Sequence, residues 1–264
     1  MFICYYSEMS WSGRRQMIYL SVVLVVAAGI LLLFVWPLLH KSPTCFDSKK
    51  NGDEHGVDCG GSCRLYCKEE VTPLQVQWSR AFSVVPGRYN VAAYVVNQNP
   101  SAGIYELSYT FELFDANNDF IASREGKTYI RNSGPTLVFE PGLMTGNRVP
   151  RFTHLKFSDP VWYSVAPELA KLPFFVSGNS DISTPDVAPS MQVVAQNPSY
   201  QAYKDVKVSV VIYNSEGNAI DASQTKVDFF DRTSRQNLFF SWLKPFDTPV
   251  ARKEILFSVS PFVP

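Results

Sequence analysis

Cys45, Cys59, Cys63 and Cys67 fall in one short polar stretch, SPTCFDSKKNGDEHGVDCGGSCRLYCKEE at 42–70. Four thiols this close either pair as two disulfides or supply four thiolates to a tetrahedral zinc ion. The spacing does not show two C-x-x-C knuckles, which favours disulfides. The stretch also has almost no apolar residues, so it needs covalent staples to be ordered. Four cysteines allow three pairings. Gly60-Gly61 lets the chain reverse sharply between Cys59 and Cys63, which favours the interlaced pairing of Cys45 with Cys63 and of Cys59 with Cys67. Cys4 is left over, as a free thiol or, beside a membrane span, a lipidation site.

The same loop carries Asp47, Asn51, Asp53 and Asp58. Side-chain oxygens in a Gly-containing loop suit calcium, and these four are the ligands it would take. The spacing is not that of an EF-hand. The competing reading is a solvated acidic loop rich in turn formers, which needs no cofactor.

Catalytic sets are not evident. His40, His55 and His154 are the three histidines. His40 abuts the apolar run, His55 lies among the cysteines, and His154 takes a solvent-facing strand position. None makes a Ser-His-Asp arrangement. The carboxylate pairs Asp228 with Asp231 and Asp115 with Asp119 have a glycosidase-like composition but sit beside turns, where charges are usually just solvated. G-x-S-x-G, H-E-x-x-H and P-loop motifs are missing from the sequence. The expectation is a protein that is not an enzyme.

The elements that position these residues begin with Met17 to Leu39, MIYLSVVLVVAAGILLLFVWPLL, which carries no charge. As a helix it is long enough for a hydrocarbon core of roughly 30 Å. Tyr19 and Trp36 stand near its ends, at headgroup level. A signal peptide has a shorter apolar region of about 7–15 residues. Arg14 and Arg15 before the run, against Lys41 after it, favour a cytoplasmic N-terminus. The chain then reads as a cell-membrane protein, single-pass, with its domains extracytoplasmic. The cysteines, on the oxidising side, point the same way.

Beyond residue 71 the pattern is that of strands, with Phe, Tyr and Val abundant. Tyr105, Leu107, Tyr109, Phe111 and Leu113 alternate with Glu106, Ser108, Thr110 and Glu112. Val91, Ala93 and Val95 repeat this, as do Val206, Val208, Val210 and Ile212 opposite Lys207 and Ser209. VVNQNPS at 95–101 is echoed by VVAQNPS at 193–199, FDANNDFIAS at 114–123 by YNSEGNAIDAS at 213–223, and HLKFSDP at 154–160 by EILFSVSP at 254–261. Three echoes in one order imply a duplicated domain, with Asn99-Pro100 and Asn197-Pro198 in equivalent loops. A repeat of about a hundred residues is the size of an immunoglobulin-like sandwich. Adjacent rings such as Phe239-Phe240 place one on each face of a strand.

The run CFDSKKNGDEHGVDCGGSCRLYC resembles a cysteine module of the form C-x-D-x3-N-x-x-E-x-G-x-D-C-G-G-x-C-x2-3-C. Such modules recur in surface and secreted proteins, often just outside a membrane anchor. The resemblance is to membrane-anchored surface proteins of the candidate-phyla bacterial type, where an anchor, this module and immunoglobulin-like β-domains occur together. It implies location and architecture, and no activity.

The expected fold is mainly β: a cytoplasmic tail at 1–16, a transmembrane helix at 17–39, a small disulfide-rich module at 42–70, and two antiparallel immunoglobulin-like β-sandwiches at 72–162 and 172–264. Zero net charge argues against a nucleic-acid partner. The expected function is binding, spacing or scaffolding at the cell envelope, with the membrane and a protein or envelope component as partners. The alternatives are an envelope hydrolase with a site on sandwich loops, or a subunit of a larger envelope complex.

Overall fold

The computed structural model describes residues 11–39, 44–166, 172–178, 180–183 and 187–259. Cys4, His40 and residues 260–264 lie outside the described residues. The protein is mainly β, with one N-terminal apolar helix and two disulfides. Helix α1 spans Trp11–Leu39 and begins six residues before the expected Met17. Charge-free sequence marks hydrocarbon depth, but the helix continues through WSGRRQ because nothing there breaks it. The expected tail at 1–16 is therefore helical from Trp11. The Arg15 guanidinium sits 4.0 Å from the Trp11 ring centre. By length and composition α1 could cross a membrane.

The first sandwich comprises β1 (Gln75–Val85), β2 (Arg88–Asn97), β3 (Ala102–Phe114), β4 (Phe120–Ile130), β5 (Gly134–Met144), β6 (Phe152–Phe157) and β7 (Trp162–Ser164). One sheet has the order β1-β2-β5 and the other β4-β3-β6, with β7 also paired to β3. All these pairings are antiparallel. The facing sides meet in a core of Val91, Ala93 and Val95 against Leu107, Phe111, Leu113 and Ile130. Each buried Val, Leu, Ile or Phe among them contributes roughly 1.5–3 kcal/mol relative to exposure. The sandwich runs past its expected end: Trp162, placed at the boundary, is buried core.

In β3 the expected alternation breaks. Ile104 pairs with Ile130 and Leu107 with Thr128, so two residues oppose one at this point. This bulge reverses the parity of everything before it. Ile104 turns inward and Tyr105 turns out, 57% exposed.

The second sandwich comprises β8 (Phe175–Ser177), β9 (Ile182–Ser183), β10 (Ser190–Asn197), β11 (Tyr203–Tyr213), β12 (Ala219–Phe230), β13 (Ser234–Ser241) and β14 (Arg252–Ser258). Its sheets run β13-β10-β8 and β12-β11-β14. Met191, Val193 and Ala195 face Val206, Val208, Val210, Ile212 and Phe230. Asn99-Pro100 lies in the β2–β3 loop, whereas Asn197 ends β10 and Pro198 opens the corresponding β10–β11 loop. Their register differs from the echo, however. The side chain occupying the place of Asn197 is Asn97, not Asn99, because the echoed sequence is displaced by two residues along the loop.

The two sandwiches pack outer face to outer face. Phe82, Ala92 and Leu137 of the β1-β2-β5 sheet form one cluster with Val211, Tyr213, Ala219 and Ala222 of the β12-β11-β14 sheet. Ser209 and Lys207, expected opposite the apolar residues of their strand, are on the other face of the sheet and are covered there. Ser209 is buried and accepts a hydrogen bond from Gln224 Nε2 at 2.8 Å. Lys207 is half-buried, its ammonium 5.5 Å from the Tyr129 ring centre.

Candidate functional site

The cysteine module is built almost entirely of turns, and each residue of its motif has a structural task. Cys45 bonds to Cys63 and Cys59 to Cys67, the interlaced pairing. With the sulfurs paired, no thiolate remains for zinc. Gly56 is required because a Cβ there would lie 2.6 Å from Cys59 Sγ and 2.8 Å from Cys67 Sγ. Gly61 has φ +60°, and a Cβ there would come 2.1 Å from the Asp53 carbonyl oxygen. The Asp58 carboxylate accepts the N–H groups of Asp47 and Ser48, each at 3.0 Å. Asn51 Nδ2 donates to Asp47 at 2.8 Å, and Glu54, buried, accepts the Asn51 N–H at 3.2 Å.

The four expected calcium ligands do not form one site. Asp47, Asn51 and Asp58 are joined by the hydrogen bonds above. Asp53 turns away and accepts from the Ser62 hydroxyl at 2.8 Å and the Ser62 N–H at 3.0 Å. These bonds hold the Asp53 carboxyl below its ordinary range, the Ser62 hydroxyl first. Among the described residues, the one group of three His, Cys, Asp or Glu ligand atoms within 4.8 Å of one another is Cys45, Glu54 and Cys63. Two of those three are disulfide sulfurs. A short acidic loop must satisfy its own backbone N–H groups, and its carboxylates do so here.

The module docks on the first sandwich. Leu65 pairs with Tyr163, the Tyr66 N–H donates to the Trp162 carbonyl at 3.0 Å, and the Ser164 N–H donates to the Arg64 carbonyl at 2.7 Å. Residues 64–66 thus extend the sheet beyond β7. Lys68 pairs with Asp159, and His55 with Glu70. Asn99 adds a clamp, exchanging hydrogen bonds with both backbone groups of Thr72 at 2.8 Å. The module is hydrogen-bonded to the sandwich as an extension of it.

The seam between sandwiches holds a polar network. Glu254 accepts from Tyr94 OH at 2.8 Å and from Tyr213 OH at 3.0 Å. Burial, reinforced by Glu254, pushes the Tyr213 phenol up to about 12 and Tyr94 higher still. Both therefore remain donors at any working pH. Arg80 donates to the Ala219 carbonyl and to Asn218 Oδ1, each at 2.9 Å. Asp221 is 7% exposed and accepts the Ala222 N–H at 2.7 Å. It borders a cavity of about 50 Å³ shared with Ser83, Asn90 and Trp242. Burial pushes its carboxyl up to about 7.

The remaining candidates are scattered. Asp115 closes the β3–β4 turn through the N–H groups of Asn117 and Asp119, and Arg148 binds it at 2.7 Å. Asp228 is exposed beside Lys226 at 3.2 Å, and Asp231 accepts the Arg232 N–H at 2.7 Å. His154 lies exposed on β6, its ring 5.3 Å from that of Phe114. On the β8-β10-β13 sheet, Phe240 is buried and Phe239 is 69% exposed. The outer face of that sheet pairs Phe239 with Gln192, Asn237 with Val194, and Gln196 with both Arg235 and Phe175.

No protein-family model matches the chain, and no curated protein matches it in sequence. Among the solved structures similar to parts of it are the following three. Red sea bream transglutaminase has 14% identity and TM-score 0.24 over 72% of this chain and 30% of that chain. A β-glucuronidase of glycoside hydrolase family 2 has 8% identity and TM-score 0.20 over 61% and 21%. The tandem CBM22-1–CBM22-2 domain of Paenibacillus barcinonensis Xyn10C has 9% identity and TM-score 0.15 over 83% and 91%. The chain thus spans under a third of the first two proteins. Scores this low carry no functional argument.

Proposed function

We propose that the protein is a non-enzymatic, single-pass membrane protein that holds a rigid pair of tandem, duplicated immunoglobulin-like sandwiches outside the cell membrane to bind, space or scaffold an envelope partner. One observation carries the reading: a disulfide-stapled module follows the apolar helix within a few residues and is hydrogen-bonded into the first sandwich. Disulfides persist on the oxidising side of a membrane, which fits α1 as an anchor with Arg14 and Arg15 on the cytoplasmic side. The chemistry-bearing carboxylates serve turns and caps, which fits a protein that recognises and does not react. The partner is a protein or another envelope component and not nucleic acid, since the chain has no net positive charge. Protease added to spheroplasts tests the reading. Digestion beyond residue 44 without permeabilisation is expected, and protection until permeabilisation would overturn it.

A further inference from the structure

Cys45, Phe46, Arg64, Leu65, Tyr105 and Tyr163 line one open depression of about 380 Å³ where the module meets the first sandwich. Phe46 is 83% exposed although it follows a disulfide cysteine in a rigid turn. Tyr105 reaches this surface only because the bulge in β3 turns it outward. Arg64 is exposed beside them. Aromatic rings flanked by an arginine make the composition of a membrane interface, where rings sit at headgroup level and guanidinium groups meet phosphate. The chain length says what lies opposite. Cys45 is six residues on from Leu39, the last residue of α1. Six residues span at most about 20 Å. The headgroup layer on each side of a bilayer is roughly 5–8 Å thick. Cys45, on the rim of the depression, is therefore tethered within reach of the headgroup layer.

We propose that this face is a lipid-contact site: Phe46 and Tyr105 rest in the headgroup layer of the membrane that α1 crosses, with Arg64 on lipid phosphate. The proposal rests on α1 being an anchor. It would fix the tilt of the first sandwich on the membrane and, through the seam, of the second.

The test uses the full chain in vesicles of phosphatidylethanolamine and phosphatidylglycerol. p-Benzoylphenylalanine replaces Phe46, Tyr105 or, as a distant control, Tyr200, which is 90% exposed on the second sandwich. Photolysis followed by mass spectrometry should find lipid adducts at positions 46 and 105 and none at 200. Arg64→Glu should reduce the adducts at 46 several-fold. Adducts at 46 no more frequent than at 200, or cross-links to a second copy of the chain instead of lipid, would overturn the proposal. Alkaline carbonate extraction separates the two failures. A chain retained in the membrane without adducts sinks the lipid site alone, and a chain released by carbonate sinks the anchor as well.

Discussion

Asn97 and Asn197 make the same hydrogen bonds in the two sandwiches. Asn97 Nδ2 donates to the Ala102 and Arg131 carbonyls at 2.7 and 2.6 Å. Asn197 Nδ2 donates to the Gln201 and Asp231 carbonyls at 2.8 and 2.9 Å. Each Oδ1 accepts the N–H two residues on, from Asn99 at 3.0 Å or Ser199 at 3.1 Å. Both side chains are buried and tie the end of one strand to the loop after another. Replacing either with Ala leaves buried carbonyls unpaired, at roughly 1–3 kcal/mol in all. Chemical denaturation should show Asn97→Ala and Asn197→Ala each lowering stability by about 2 kcal/mol. A loss at one position and none at the other would break the equivalence.

The disulfides close separations of 18 and 8 residues. Loop closure in the unfolded chain makes each worth about 2–3 kcal/mol. Peptide mapping without reduction should recover Cys45 with Cys63 and Cys59 with Cys67. Gly56→Ala should block the second bond, since the added Cβ meets both of its sulfurs. Reduction should open the module to protease and leave the two sandwiches folded. Sandwich unfolding under mild reduction would contradict this.

Asp221 makes stability depend on pH. Its carboxyl is near 7 in the folded protein against 3.8 ordinarily, because burial disfavours the charge. A raised carboxyl binds its proton more tightly when folded. Its stabilising protonation is therefore fully present below about pH 4 and is lost as pH rises through about 7. The charged and polar groups around it are Lys244, Asp247 and the Trp242 indole, which stops short of hydrogen-bond geometry, with Asn90 and Ser83 across the cavity. Asp221→Asn keeps the acceptor for the Ala222 N–H and removes the charge. It should stabilise the protein at pH 8 by about 2–4 kcal/mol and change little at pH 4, as denaturant titration at the two pH values would show.

Glu254 joins the two tyrosines across the seam. Glu254→Ala should cost about 2 kcal/mol, since two hydrogen bonds to a charged acceptor are lost. The effect should be confined to the seam. Small-angle scattering would then report a wider range of inter-sandwich angles, while each sandwich keeps its circular dichroism. Unchanged scattering and stability would show that the apolar cluster alone holds the contact.

Most of the strands could be read in the sequence because their alternation is regular. Leu107, Tyr109, Phe111 and Leu113 behave as a half-buried strand should. Tyr105 did not, because a bulge is a pairing event and leaves no periodic trace. The seam did leave one. VAAYVV in β2 and VVIY in β11 are continuous apolar runs, the mark of strands covered on both faces. The disulfide residues were legible by count and compartment. The docking of residues 64–66 was not, since it joins positions about a hundred residues apart through backbone groups alone. The acidic loop is ambiguous in sequence because carboxylates that cap backbone N–H groups and carboxylates that bind metal share one composition.

The seam is directional. It joins the β1-β2-β5 face of one sandwich to the β12-β11-β14 face of the next, two different surfaces in strand order. A contact of that kind can in principle be repeated without end. The matching face of the first sandwich, β4-β3-β6, carries Glu112 with Lys156 at 2.8 Å where the second has Val211 and Leu256. An ion pair in that place leaves the β4-β3-β6 face without the apolar surface that the β12-β11-β14 face gives to the seam.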